Sequence, residues 1–139
     1  RPLGYTETEA RDFMHRLSGD GRAFYLAVQR RLDFAFPALL AATLVWTAFR
    51  LPPPGWRAVR RVLVVAAIGG MVADYAENAA VAAMLSVAPE AVAAEQIAAA
   101  SRWTVLKSLG ATIAMSLGVL LLARAMIARM KTRQPLDRI

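Results

Sequence analysis

No cysteine occurs anywhere in this chain of 139 residues. That one absence excludes disulfides, iron–sulfur clusters, cysteine-ligated zinc and thiol catalysis together. Histidine occurs once, as His15, which rules out a bis-histidine haem site within one chain. There is no Ser-centred G-x-S-x-G elbow and no glycine loop of the kind that cradles phosphate. Charge is scarce as well: 19% of residues, against 58% hydrophobic and a mean hydropathy of +0.42. A soluble chain this short could not hide so much apolar surface, so another solvent must take it up. What charge there is leans positive, at +7 net. The arginines flank apolar runs instead of forming an aromatic-studded patch, which favours membrane anchoring over nucleic-acid binding.

The chain opens "RPLGYTETEA" without an initiator methionine or a signal-peptide pattern, so we expect a processed start or a preceding segment. Thr6 and Glu9 then form a capping box ahead of a periodic run. Ala10, Phe13, Met14 and Leu17 follow at helical spacing, with Arg11, Asp12, His15 and Arg16 opposite them. This predicts a short amphipathic helix lying on a membrane surface or on a bundle, ended by "SGDG" at 18–21.

Three longer apolar stretches come next. The first has its apolar part at 32–49 and contains Pro37, which predicts a kink or a freed carbonyl that a neighbour must satisfy. "RLPPPGWR" at 50–57 reads as a tight loop. The second stretch covers 62–87. Pro89 then restarts the chain, and "PEAVAAEQIAAAS" reads as a mildly polar helix or a lead-in to the third stretch, 103–128. We therefore expect an all-α integral membrane helical bundle with three visible transmembrane helices plus an N-terminal amphipathic helix. The division is a surface helix and turn at 1–21, a transmembrane bundle at 22–130 and a basic tail at 131–139. Arg50, Arg57, Arg60 and Arg61 lie in the first loop region without an acid, and Arg124, Arg129, Lys131, Arg133 and Arg138 crowd the C-terminal side against Asp137. The positive-inside rule then places the Pro-rich loop and the C-terminus in the cytoplasm, in a multi-pass inner-membrane protein. A fourth span, upstream or from a partner, would complete the outside start of the chain.

The pattern "GY" at 4–5, "GR..Y" at 21–25, "D..FP" at 33–37 and "DYAEN" at 74–78 resembles a set of uncharacterised small bacterial multi-spanning membrane proteins. The resemblance implies about four helices, the first before the "GY", and implies no activity.

The costly residues stand out against this background. Asp74, Glu77 and Asn78 fall at i, i+3 and i+4 on one helix face, with Gly70 a turn before them. A charge at the bilayer centre costs about 2.5–3.5 kcal/mol on insertion scales, so these groups must face the bundle, water or a partner. Asp33 on the first span and Lys107 on the third are their expected companions, with Arg30 and Arg102 at the rim. One reading is an interhelical polar clamp, in which Lys107 pairs with Asp74 or Asp33 and Asn78 bridges helices. The other is a proton or cation pathway, or a pocket for a head group or small ligand. The acids could serve as acid and base or hold Mg²⁺, and Tyr75 could donate a proton, but with no histidine in a span an enzyme is not favoured. No cofactor or resident metal is expected.

Gly110, Ala114 and Gly118 stand four apart on the third stretch, a ridge of small residues that lets another backbone come close. Packing against the second stretch, with Gly69, Gly70, Ala73 and Ala76, is favoured over docking to another protein. His15 reads as a solvent-exposed side chain. The arginines around "PPPGWRAVRR" read as topology determinants in contact with anionic lipid. The reading that results is a non-catalytic accessory or assembly subunit of a larger membrane complex, or a homo-oligomer. Its alternative is an autonomous membrane protein whose acidic pocket binds, transports or acts on a lipid, small molecule, proton or cation.

Overall fold

In a computed structural model of the protein, residues 2–25, 27 and 30–133 are described. The C-terminal part of the expected tail, 134–139, and the Arg30 side chain lie outside them. Every described element is helical: α1 (Glu7–Arg16), α2 (Gly19–Phe24), α3 (Arg30–Arg50), α4 (Arg57–Leu85), a 3₁₀ turn at Pro89–Ala91 and α5 (Ala94–Arg133).

Local chemistry sets these boundaries. Thr6 and Glu9 close the capping box at the start of α1, the Glu9 carboxylate accepting from Thr6 N at 2.8 Å. Residues 18–21, expected to be a plain turn, instead start α2, because Ser18 Oγ accepts from Gly21 N at 3.1 Å and so caps a new helix. Gly55, at φ +91°, turns the chain between α3 and α4, a conformation that the preceding prolines cannot adopt. The lead-in segment and the third apolar stretch are one helix, since nothing after Ala94 interrupts the backbone ladder. Pro37 stays inside α3. It removes the donor for the Asp33 carbonyl, and one residue on, Phe34 O accepts from the Tyr75 hydroxyl at 2.7 Å.

α4 and α5 run antiparallel and approach most closely where Gly70 meets Gly110. A Cβ on Gly110 would stand 2.8 Å from Gly70 Cα and 3.0 Å from Ala66 O. α3 packs on the same pair, Leu44 reaching Gly118. Two apolar clusters result. One, toward the loop between α3 and α4, joins Leu44, Ala48, Leu63, Ala67, Ala114 and Leu121. The other, at the opposite end, joins Ala10 and Met14 of α1 to Met84, Leu85, Val92 and Ile97. Burying side chains such as Ile97 or Leu85 stabilises by roughly 1.5–3 kcal/mol each. α1 and α2 thus cap one end of a three-helix bundle.

On α1, Ala10 and Met14 are buried and Leu17 is partly buried, but Phe13 is exposed although it was expected on the packed face. The packed face is narrower than the apolar stripe. Arg11, expected on the solvent side, turns inward and donates to the carbonyls of Pro89 and Val92.

Among the described residues, one helix is long and apolar enough to cross a membrane. It covers Ala94–Thr132, with mean hydropathy 1.9 over its most apolar stretch, only 17% of which is buried. The all-α helical bundle is thus plain, and one long apolar helix is consistent with membrane insertion.

Candidate functional site

A layer of polar groups separates the two apolar clusters. α4 presents Asp74, Glu77 and Asn78 on successive turns, and α5 presents Thr104 and Lys107 against them. The ammonium of Lys107 lies 2.8 Å from Asp74 Oδ1 and 2.7 Å from Glu77 Oε2. Thr104 Oγ1 donates to the other Glu77 oxygen. Asn78 Nδ2 donates to Asp74 Oδ1 at 3.3 Å. The Asp74 and Glu77 side chains are only 16% and 13% exposed, so their charges depend on these partners.

The antiparallel register explains the convergence. With Gly70 opposite Gly110, one turn along α4 reaches Asp74 and one turn back along α5 reaches Lys107. The glycine crossing draws the backbones close enough for one lysine to span both carboxylates.

The rest of the polar layer comes from the connecting segments. Phe34 stacks on Tyr75 with ring centroids 5.6 Å apart, which places the start of α3, including Asp33, level with the acids of α4. Tyr25, at the end of α2, has its hydroxyl pKa raised, first by burial and then by the negative charges of Asp33, Glu77 and Asp74, with Lys107 opposing. Asp33 and the α4 acids therefore all act on one tyrosine. From the other side Tyr5 enters beside Ser101, whose hydroxyl accepts from Tyr5 N and donates to Tyr5 O, both at 2.9 Å. Gly4 makes this possible: its φ is +84°, and a Cβ there would fall 2.6 Å from Ser101 Oγ. The Tyr5 hydroxyl is buried and has no hydrogen-bond partner of good geometry among the described residues. Burial and the Glu77 charge raise its pKa, and the neighbouring Thr104 hydroxyl offsets this only in part.

Of the site residues expected from the sequence, Lys107 touches both Asp74 and Glu77, Asn78 bonds Asp74 of its own helix instead of bridging helices as expected, and Asp33 stands at the same level. Arg102 does not join them; it is exposed and donates to Ala98 O at 3.3 Å. Gly70 and Gly110 form the α4–α5 crossing, Gly118 faces Leu44 of α3, and Ala114 is fully buried between them. The small-residue ridge therefore serves two neighbours. His15 stays on the exposed surface, 3.6 Å from Glu90.

Thr104, Ser101, Tyr5 and Tyr25 were not singled out from the sequence. Thr104 carries the only local signal, standing one turn before Lys107. Tyr5 and Tyr25 belong to the "GY" and "GR..Y" patterns, which gave them no role. Among the described residues no group of three or more acidic or histidine side chains is placed to hold a metal ion. Compared with family models, curated proteins and solved structures, the chain matches none.

Proposed function

We propose that this chain is a small multi-spanning membrane protein that acts as a non-catalytic accessory or assembly subunit, and that its polar layer is an interhelical clamp. The membrane part rests on an inside-out distribution of side chains. Large apolar residues cover the outside, with Phe34 73%, Val65 70% and Leu120 65% exposed, while the carboxylates lie within. Soluble monomers rarely expose contiguous apolar patches beyond a few hundred Å². On this reading α3, α4 and α5 each cross the bilayer, and the arginine-rich end faces the cytoplasm of an inner membrane.

The observation that carries the non-catalytic part is Lys107 held between Asp74 and Glu77. Groups so engaged fix the register of two helices and leave little free to act on a substrate. The exposed apolar faces give a membrane partner or a second copy a surface to join.

The acidic-pocket reading keeps one specific support. Asp74 and Glu77, two carboxylates, share the single ammonium of Lys107, and the buried Tyr5 hydroxyl lies close enough to Glu77 to feel its charge.

Extraction from native membranes in mild detergent, followed by sizing and mass spectrometry, tests the proposal. A stoichiometric protein partner is the expected result. A monomer or homo-oligomer carrying a small molecule or lipid that is lost in Asp74→Asn/Glu77→Gln would overturn it in favour of the pocket.

A further inference from the structure

We infer that the arginine-rich end of the bundle is a specific seat for the phosphate of an anionic phospholipid, built from guanidinium groups stacked on aromatic rings. The inference rests on the membrane reading above and goes beyond it, since a diffuse positive field would suffice to set topology.

Three arginines at this end are held over aromatic rings: Arg50 over Trp46 at 5.8 Å, Arg60 over Phe49 at 5.5 Å and Arg124 over Trp56 at 5.4 Å from guanidinium carbon to ring centroid. They come from α3, α4 and α5 respectively, so all three helices contribute. Stacking uses the face of a guanidinium and leaves its edge N–H donors in the plane where a phosphate accepts two of them. One such donor already lacks an acceptor: Arg60 Nε is buried without a hydrogen-bond partner among the described residues. A buried charged donor left unpaired is costly, and a small shift of this side chain toward the surface would let a ligand oxygen satisfy it.

The helical stretches that build this end supply no counter-charge of their own. No acid occurs in 34–73 or in 96–136, stretches that hold Arg50, Arg57, Arg60, Arg61, Arg124 and Arg129. Among the described residues none of these six is in an ion pair. The start of α4 adds to the demand, because its N-cap, Trp56, gives no side-chain cap and its first turn has no acid. Among the described residues nothing neutralises this end, and an anion from outside the chain would do so. The aromatic partners mark the level at which it sits: Trp and Phe rings at the ends of apolar helices lie at the headgroup boundary, where phospholipid phosphates are found.

The test uses the purified full chain in mixed micelles of phosphatidylglycerol and phosphatidylcholine, with native mass spectrometry reading the lipid retained. Carbonate extraction of the same membranes comes first; a chain released by carbonate refutes the membrane reading itself. For a chain that stays, preferential retention of phosphatidylglycerol is expected. Arg124→Lys keeps the charge and alters an exposed side chain, yet should lower that retention roughly ten-fold, the weight of one charge-assisted hydrogen bond. Arg60→Lys should do the same, with circular dichroism confirming that it folds. Equal retention of the two lipids would overturn the seat, and so would lysine variants within two-fold of the parent, which would leave only a diffuse field. Displacement of the lipid by millimolar inorganic phosphate would overturn the lipid in favour of a soluble anion.

Discussion

Gly110→Ala tests the α4–α5 crossing, on which the polar layer depends. The new methyl carbon would stand 2.8 Å from Gly70 Cα, 3.0 Å from Gly70 N and 3.0 Å from Ala66 O. Favourable carbon–carbon separations are about 3.5–4.0 Å, so the helices must part by several tenths of an ångström or more. Every obstacle is backbone, and no rotamer change can relieve it. Overpacking of this kind costs about 1–3 kcal/mol. Against it stands the gain of about 1 kcal/mol when glycine becomes alanine within a helix. Three backbone clashes put the cost in the upper half of that range, and a net loss of roughly 1–2 kcal/mol is expected.

Two neighbours calibrate the argument. A methyl added at Gly69 would meet nothing within 4 Å, so Gly69→Ala should stabilise by up to about 1 kcal/mol. At Gly70 the nearest atoms are Ala111 N at 3.2 Å and Gly110 C at 3.3 Å, so Gly70→Ala should fall between the two. Unfolding in detergent, followed by circular dichroism, gives the order. If Gly110→Ala were as stable as Gly69→Ala, the glycine crossing would not be what holds α4 to α5.

Lys107→Met should destabilise by about 2 kcal/mol, less than for a fully buried pair because the lysine is partly exposed. Neutralising the acids as well, in Lys107→Met/Asp74→Asn/Glu77→Gln, should recover most of that loss in the same unfolding assay, whereas no recovery would count against the clamp. Tyr5→Phe should stabilise by about 1 kcal/mol near neutral pH, because it removes a buried hydroxyl without a partner. The raised pKa of Tyr5 means that folding favours its neutral form; that contribution is complete below the usual tyrosine value of 10.0 and fades as pH rises through the folded value. The parent should therefore lose stability above pH 10 more steeply than Tyr5→Phe, as melting curves on either side of that pH would show.

How much of this could be read beforehand follows from what one-dimensional spacing encodes. The α1 cap was legible because Thr6 and Glu9 act within one turn. The meeting of Lys107 with Asp74 could be anticipated, as one of two options beside Asp33, because few charged residues interrupt the apolar stretches and helical spacing fixes their faces; its contact with Glu77 was not foreseen. That Gly70 faces inward was legible too, since it stands one turn before Asp74 on the same face; which residue of the α5 ridge it meets was not, because the register between two helices carries no local signal. Arg11 was misplaced. Periodicity put it on the polar face, but two carbonyls at the α4–α5 turn, themselves left without helical donors, drew it in. Tyr5 and Tyr25 reach the acids through chain turns that carry no periodic signal.

Arg11 also bears on what keeps water from the clamp. On the membrane reading, the stretch of α5 between Arg102 and Arg124 is roughly 30 Å long at 1.5 Å per residue, which matches the hydrocarbon thickness. Lys107 then lies only about 8 Å inside the Arg102 level, shallow enough for its ammonium to reach toward headgroups. On that reading α1 and Tyr5, packed on the same end of the bundle, contribute to the cover over it. Arg11 fastens that cover, donating to Pro89 O and Val92 O from α1 while Glu7 holds its guanidinium at 2.8 Å. Removing it in Arg11→Ala leaves two carbonyls without their donor, at about 1–3 kcal/mol, charged against the cap and not the bundle. The chain has two lysines, Lys107 and the exposed Lys131, so a water-soluble acylating reagent with peptide mass spectrometry reports both at once. In Arg11→Ala, acylation of Lys107 should rise relative to Lys131 while the melting of the bundle stays near that of the parent. Faster hydrogen exchange across α1 with unchanged Lys107 labelling would show that the cap opens without exposing the clamp, and the shielding would then have to come from the bilayer.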